Sequence, residues 1–386
     1  MPRDASLNMI RRLIAYDTTS RNSNLELIHW VRDYLDGLGI ASTLVPSADG
    51  AKANLYATAG PDDRGGILLS GHTDVVPVDG QDWTSDPFDV VERDGRLYGR
   101  GSCDMKSFIA IALAMLPEFL RRGLKTPLHL AFSYDEEVGC QGAKDLMPVI
   151  AAMDHKPRFG IVGEPTEMQV IRGHKGRFGY RCRVRGFECH SSLTDQGVNA
   201  IEYAALMIAR LTEMARAKAL NGPFDQGFSP PYTTIQTGLI QGGTAINIVP
   251  GECQFDFEWR NLPDDDGHAM LAELKDFAES ELVPGMRRVS PEAGIEITED
   301  SIFAGLGTPE DAEVTTLALA LAERNATGVV SFGTEAGLFS EIGIPTIVCG
   351  PGSIEQAHKP DEFVALDQVN QCEAFLERLM DRVCAP

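Results

Sequence analysis

Apolar positions recur along the chain at two periods. Leu25, Ile28, Val31 and Leu35 repeat at helical spacing and stop at Gly37 and Gly39, so residues 5–38 read as helical. Short strands follow near 53–58 and 67–71, the second built on the run Ile67-Leu68-Leu69. Asp94-Gly95 marks a hairpin turn. The stretch 106–121 is almost wholly apolar, with Phe108, Ile109, Ile111, Leu113, Leu116 and Phe119, and predicts a helix buried against a sheet. A strand over 128–134, a helix over 142–152 and a strand over 159–162 continue the alternation. Strands alternating with helices predict an α/β fold, a mostly parallel sheet covered on both faces. Between Gly176 and Gly186 the pattern changes. Phe178, Tyr180, Cys182 and Val184 alternate as in an antiparallel strand with one solvated face. A helix over 198–216, strands over 233–240 and 252–260, and a helix over 266–282 give the order β-α-β-β-α-β of a ferredoxin-like α+β unit. After residue 287 the α/β pattern resumes, with a helix over 309–323, strands over 328–331 and 344–348 and a helix over 367–383. The expected organisation is therefore an α/β domain in two parts, 1–173 and 287–386, interrupted by an inserted domain, 174–286.

Composition narrows the partners. The 386 residues exceed one typical core, and 43% hydrophobic content is enough to bury two. The net charge is 34 − 56 = −22. A chain this acidic repels phosphate backbones and anionic lipid, so nucleic acid and membrane are not expected partners. No apolar run approaches the ~20 residues of a membrane span. Residues 1–16 carry Arg3, Asp4, Arg11 and Arg12 with no apolar h-region, unlike a signal peptide. Eight cysteines are scattered without a CxxC pair, as expected of free thiols in a reducing cytoplasm.

The candidate chemistry lies at the ends of the α/β strands. His72 follows Ile67-Leu68-Leu69 and is two residues before Asp74, which could orient the ring. Alone, this pair would be an ordinary Asx turn. Asp104, Glu136 with Glu137, and Glu164 also fall at or just past predicted strands, and His358 lies after the strand at 344–348. Clustered carboxylates without cations would repel one another and neutralise. Two histidines with several carboxylates suit Zn²⁺, with Co²⁺ or Mn²⁺ as substitutes. Two ions sharing one carboxylate would balance the cluster best. Of the adjacent Glu136 and Glu137, one can hold metal while the other accepts a proton from water.

The motifs GHTDVVP, GRGSCDMKS, DEEVGCQGA, GEPT and AHKPDE, in that order, resemble those of the M20 family of di-zinc amidohydrolases over nearly the whole chain. The resemblance implies a zinc-peptidase-like catalytic domain with the insertion as lid and dimerisation domain. It implies that His72 and Glu164 hold one zinc, that Glu137 and His358 hold the other, and that Asp104 bridges them. Asp74 would orient His72, Glu136 would be the general base, and the Asp104–Met105 peptide would be cis. In the insertion His190 matches a lid histidine that reaches the active site of a partner subunit in a homodimer. Asn247 and Arg260 match positions that bind the substrate. His174, at the domain junction, reads as hinge or surface. Within the family, Gly333-Thr334-Glu335-Ala336-Gly337 and the segment around His358 are most similar to acetylornithine deacetylases. Glu335 would line the pocket and suit a substrate amine. The implied reaction is hydrolysis of N2-acetyl-L-ornithine to acetate and L-ornithine in arginine biosynthesis. A succinyl-diaminopimelate desuccinylase or another M20 aminoacylase or carboxypeptidase is the alternative.

Overall fold

The structure, a computed structural model, describes residues 1–385. They form two compact units. The first comprises Met1–Gly173, Leu306–Val329 and the chain from Thr334 onward, and the second His174–Gly305 with Val330–Gly333.

The first unit is built on a nine-stranded sheet. Its centre is four parallel strands in the order Leu128–Ser133, Ile67–His72, Phe159–Pro165 and Thr346–Gly350. Antiparallel strands continue it: Ala53–Ala59 and Ser42–Pro46 on one side, Val170–His174 on the other. Every residue of the four central strands is buried. Successive side chains point to opposite faces, so burial of all of them means that both faces are covered. One cover is the helix Lys106–Arg122, buried continuously from Lys106 to Leu113. It comes close to the strand that carries Glu164: a Cβ on Gly163 would lie 2.0 Å from the Phe108 ring. Parallel strands bring their C-terminal ends to one edge, with His72 directly opposite Ser133. Segments that leave that edge converge there, which places the chemistry. The Asp104–Met105 peptide is cis.

The second unit is a four-stranded antiparallel sheet in the order Thr234–Gly242, Glu252–Arg260, Arg177–Arg185 and Gly294–Phe303. Phe178 pairs with Trp259 and Tyr180 with Phe257, and the four rings pack as one layer. The helices Ala200–Asn221 and Gly267–Phe277 complete the core. Each starts at a side-chain cap: Asn199 accepts from two backbone N–H groups, and so does Asp266. Arg181, Arg183 and Arg185 alternate to the other face, where they pair with Asp256, Glu252 and Glu292.

Three expectations need correction. The helical stretch 5–38 is two helices, Asp4–Ile14 and Leu25–Gly37. Between them Asp17-Thr18-Thr19-Ser20 turns through its own side chains: the Asp17 carboxylate accepts from the Thr19 N–H and hydroxyl. The insertion does not close at residue 286. Gly294–Phe303 pairs with Arg177–Arg185 as the last strand of the second sheet, so the unit runs to Gly305. His174 is neither exposed nor a surface group. It is fully buried, its Nδ1 contacts the Lys175 carbonyl oxygen at 3.0 Å, and burial lowers its pKa to about 4. All eight cysteines are free thiols, and among the described residues no helix is long and apolar enough to cross a membrane.

Candidate metal centre

His72 ends its strand with its ring fully buried. Nδ1 faces the backbone carbonyl of Asp74 at 2.9 Å, which fixes the proton on that nitrogen. Nε2 is then the nitrogen left for a metal, and it faces Asp104 Oδ1 at 2.9 Å and Glu164 Oε1 at 3.4 Å. The other oxygen of Asp104 faces a second imidazole: His358 Nε2 lies 3.2 Å from Asp104 Oδ2 and 3.1 Å from Glu137 Oε2. The centre therefore has two halves. His72 meets one oxygen of Asp104 together with Glu164, and His358 meets the other together with Glu137. Ligand atoms of His72, Asp104 and Glu137 lie within 4.8 Å of one another, as do those of His72, Glu136 and Glu164.

The electrostatics of this set suit a cation. Burial, then the neighbouring Asp104, pushes Glu164 up to about 8, and the same two causes push Glu137 up to about 7. Burial and the surrounding carboxylates also hold Glu136 well above the ordinary range. Hydrogen bonds to Asp104 and Glu137 hold the half-exposed His358 up to about 10. Burial opposes charge on His72 as well, yet Glu164 and Asp104 keep it well above its usual value. A donor set that must take up protons to stay together is one that a divalent cation fits.

Asp74 differs in detail from the sequence reading. Its carbonyl meets His72 Nδ1 more closely than its carboxylate does; Oδ1 stands 3.6 Å from Nδ1 and pairs with it by charge. The carboxylate accepts from the backbone N–H of Glu136 at 3.0 Å and of Glu137 at 3.3 Å, and from Ser20 Oγ at 2.7 Å. Asp74 therefore holds the turn at which two adjacent glutamates leave the strand. Cys140 Sγ donates to Glu136 Oε1 at 3.3 Å.

Glu335 does not line an open pocket. It is fully buried, and each of its oxygens accepts from a serine, Ser70 at 2.7 Å and Ser133 at 2.6 Å. Both serines sit on central strands, so burial and two hydroxyls account for the carboxylate without a substrate amine. The other three candidates belong to the second unit. His190 is exposed and its loop is bridged to that of Asn247, with the Ser191 N–H donating to the Asn247 carbonyl at 3.0 Å. Arg260 lies at the far end of Glu252–Arg260, roughly 25 Å along the strand from its start, and pairs with Glu258. The structure therefore brings His190 and Asn247 together and sets Arg260 apart from them. Glu362 was missed as a site residue. The signal was present in Lys359-Pro360-Asp361-Glu362, beside His358.

The sequence profile of peptidase family M20/M25/M40 matches residues 68–382. An acetylornithine deacetylase of Myxococcus xanthus is 39% identical over 382 residues, which cover 97% of this chain and 96% of the relative. Among solved structures, aminopeptidase PepT of Bacillus cereus superposes with a TM-score of 0.75 at 19% identity, over 99% of each chain. The YXEP protein of Bacillus subtilis, described as a dinuclear metal binding peptidase, has a TM-score of 0.67 at 16% identity, over 98% of this chain and 97% of that one. With the profile spanning most of the chain and the relative nearly all of it, the chain belongs to peptidase family M20/M25/M40.

Proposed function

We propose that the chain is a two-metal amidohydrolase that cleaves the amide of N2-acetyl-L-ornithine to acetate and L-ornithine, a cytoplasmic step of arginine biosynthesis. The observation that carries the reaction class is the split of Asp104, one oxygen to each imidazole. The substrate rests on the deacetylase relative. His72, Glu164 and Asp104 Oδ1 would hold one ion, and Glu137, His358 and Asp104 Oδ2 the other. Nitrogen and carboxylate donors suit Zn²⁺, and Co²⁺ or Mn²⁺ suit the same set. Ions bound there supply a polarised amide carbonyl and an acidified water.

The chain's own groups do the rest. Glu136 accepts the proton of that water and returns it to the leaving nitrogen. His190, presented by a second copy, donates to the oxygen that gains charge on the former carbonyl. Asn247 of that same loop pair binds the substrate from the second copy, and Arg260, set apart from it within one copy, binds from the other copy as a bidentate donor to the substrate carboxylate. On one preparation, kcat/KM for N2-acetylornithine should exceed that for N-succinyl-diaminopimelate by at least about 100-fold, the scale of a site built for one polar side chain. A succinyl preference would overturn the substrate assignment and leave the metal chemistry standing.

The second copy is proposed to dock on the edge strand Thr234–Gly242. Its outer backbone groups face no neighbour in the sheet, and Leu239 and Ile240 are 68% and 57% exposed. An exposed apolar edge of this kind is a template for pairing with another chain. Leu239→Lys should shift sedimentation from dimer to monomer and lower turnover with it. A monomeric wild type of full activity would remove this role of His190.

Asp74→Asn keeps the carbonyl that meets His72 but leaves one acceptor for two N–H groups and a hydroxyl. Its effect should fall on the Glu136–Glu137 turn, lowering kcat by roughly 10–100-fold with a smaller change in zinc affinity. Loss of zinc with unchanged kcat of the reloaded protein would reverse that assignment.

A further inference from the structure

His358 is a half-exposed ligand candidate on a loop, with a backbone φ of 63° that non-glycine residues seldom adopt. Packing does not hold it in place as it holds the buried His72. A polar network does. The side chain of Glu362 is fully buried, and its Oε1 accepts three backbone N–H groups of the loop before Asp104: Gly101 at 3.1 Å, Cys103 at 2.8 Å and Asp104 at 3.0 Å. Its Oε2 accepts from Arg100 Nη1 at 2.5 Å. The other arm of Arg100 donates to Gln81 Oε1 at 2.6 Å, and Gln81 Nε2 donates to the carbonyl of His358 at 2.9 Å. The guanidinium stacks on Trp83, its carbon 5.1 Å from the ring centroid.

We infer that Glu362, Arg100 and Gln81 are positioning residues that clamp the His358 loop to the Asp104 loop and so set the affinity of the His358 half of the centre. This rests on the two-ion reading above. The chemistry is specific. A carboxylate accepts several N–H groups at once and binds a fork-shaped guanidinium with its other oxygen. Both loops are then referred to one buried anion. The His72 half draws only Asp104 from the clamped loops, because His72 and Glu164 sit on central strands. Ligand geometry fixed from outside the ligand set is worth about 10–100-fold in metal affinity.

The test is zinc titration of the full-length, metal-stripped protein against a chromophoric chelator, for wild type, Glu362→Gln, Gln81→Met and His358→Ala. Wild type should take up two equivalents. Glu362→Gln should weaken one of them by about 10–100-fold and leave the other within about 3-fold. The weakened equivalent should be the one that His358→Ala removes. Gln81→Met should weaken the same equivalent by about 10-fold without lowering the melting temperature of the metal-free protein. Gln81→Met leaves the Arg100–Glu362 pair intact, so it decides the matter even where Glu362→Gln fails to fold. Equal weakening of both equivalents, or wild-type titration in both variants, overturns the clamp while the two-ion reading stands. Fewer than two equivalents on the wild type overturns that reading and the clamp with it.

Discussion

Glu136→Gln should keep both metal ions and lose kcat by about 10³–10⁴-fold, the upper part of what a general base contributes. The two adjacent glutamates are not equivalent. Glu137 has both oxygens on His358, at 3.2 Å and 3.1 Å. Glu136 has no imidazole partner, and its side-chain hydrogen bond is from the weak donor Cys140 Sγ. Burial and the carboxylates around it favour its protonated form. A group of that kind, next to the ligand set but not tied to it, can take a proton and give it back. Gln has the same size and cannot. Metal content and kcat measured on the same protein separate the outcomes. Full activity would remove Glu136 as base. Loss of one ion would make it a ligand, since its oxygen converges with His72 and Glu164.

Much of this centre was readable from the chain because its residues fall at the ends of strands with strong patterns. Ile67-Leu68-Leu69 and Phe159 to Val162 are apolar on both faces and Leu128 to Tyr134 on one, so their C-terminal ends and the acidic or histidine residues there could be placed without a structure. Details that depend on loop geometry could not. That Asp74 meets His72 through its carbonyl, and the Glu136–Glu137 turn through its carboxylate, is a matter of backbone direction, which residue type does not encode. Glu335 was misread for a related reason. A charged residue near a strand end suggests a pocket, and nothing in the local sequence says that Ser70 and Ser133, far away in the chain, turn their hydroxyls toward it. Gly294–Phe303 escaped because half of its residues are polar. It is an edge strand with one exposed face, so its hydrophobic signal is weak. The clamp of Glu362, Arg100 and Gln81 is long-range in the same sense: each member looks like an ordinary surface polar residue until the loops are brought together.

Asp104→Asn should reduce zinc uptake from two equivalents to one at most and abolish turnover with it. The two imidazoles face different oxygens of this single carboxylate, at 2.9 Å for His72 and 3.2 Å for His358. Asn offers one oxygen and one NH₂ group. An amide nitrogen has no lone pair to donate to a metal, so one half of the centre loses its shared ligand whichever way the side chain turns. The substitution also removes a negative charge that, despite burial, both imidazoles hold ionised. The fold should survive, because the Asp104 N–H that Glu362 accepts is a backbone group and the side chain keeps its shape. The measurement is equilibrium dialysis with elemental analysis, supported by melting curves with and without zinc. Ion binding at 100 times Kd stabilises a protein by about 2.7 kcal/mol, so the rise in Tm on adding zinc should shrink in the variant while the metal-free Tm stays near that of the wild type. Two equivalents retained at wild-type affinity would mean that Asp104 bridges nothing. One equivalent lost, together with two retained in Glu136→Gln, would separate the group that assembles the centre from the group that moves the proton.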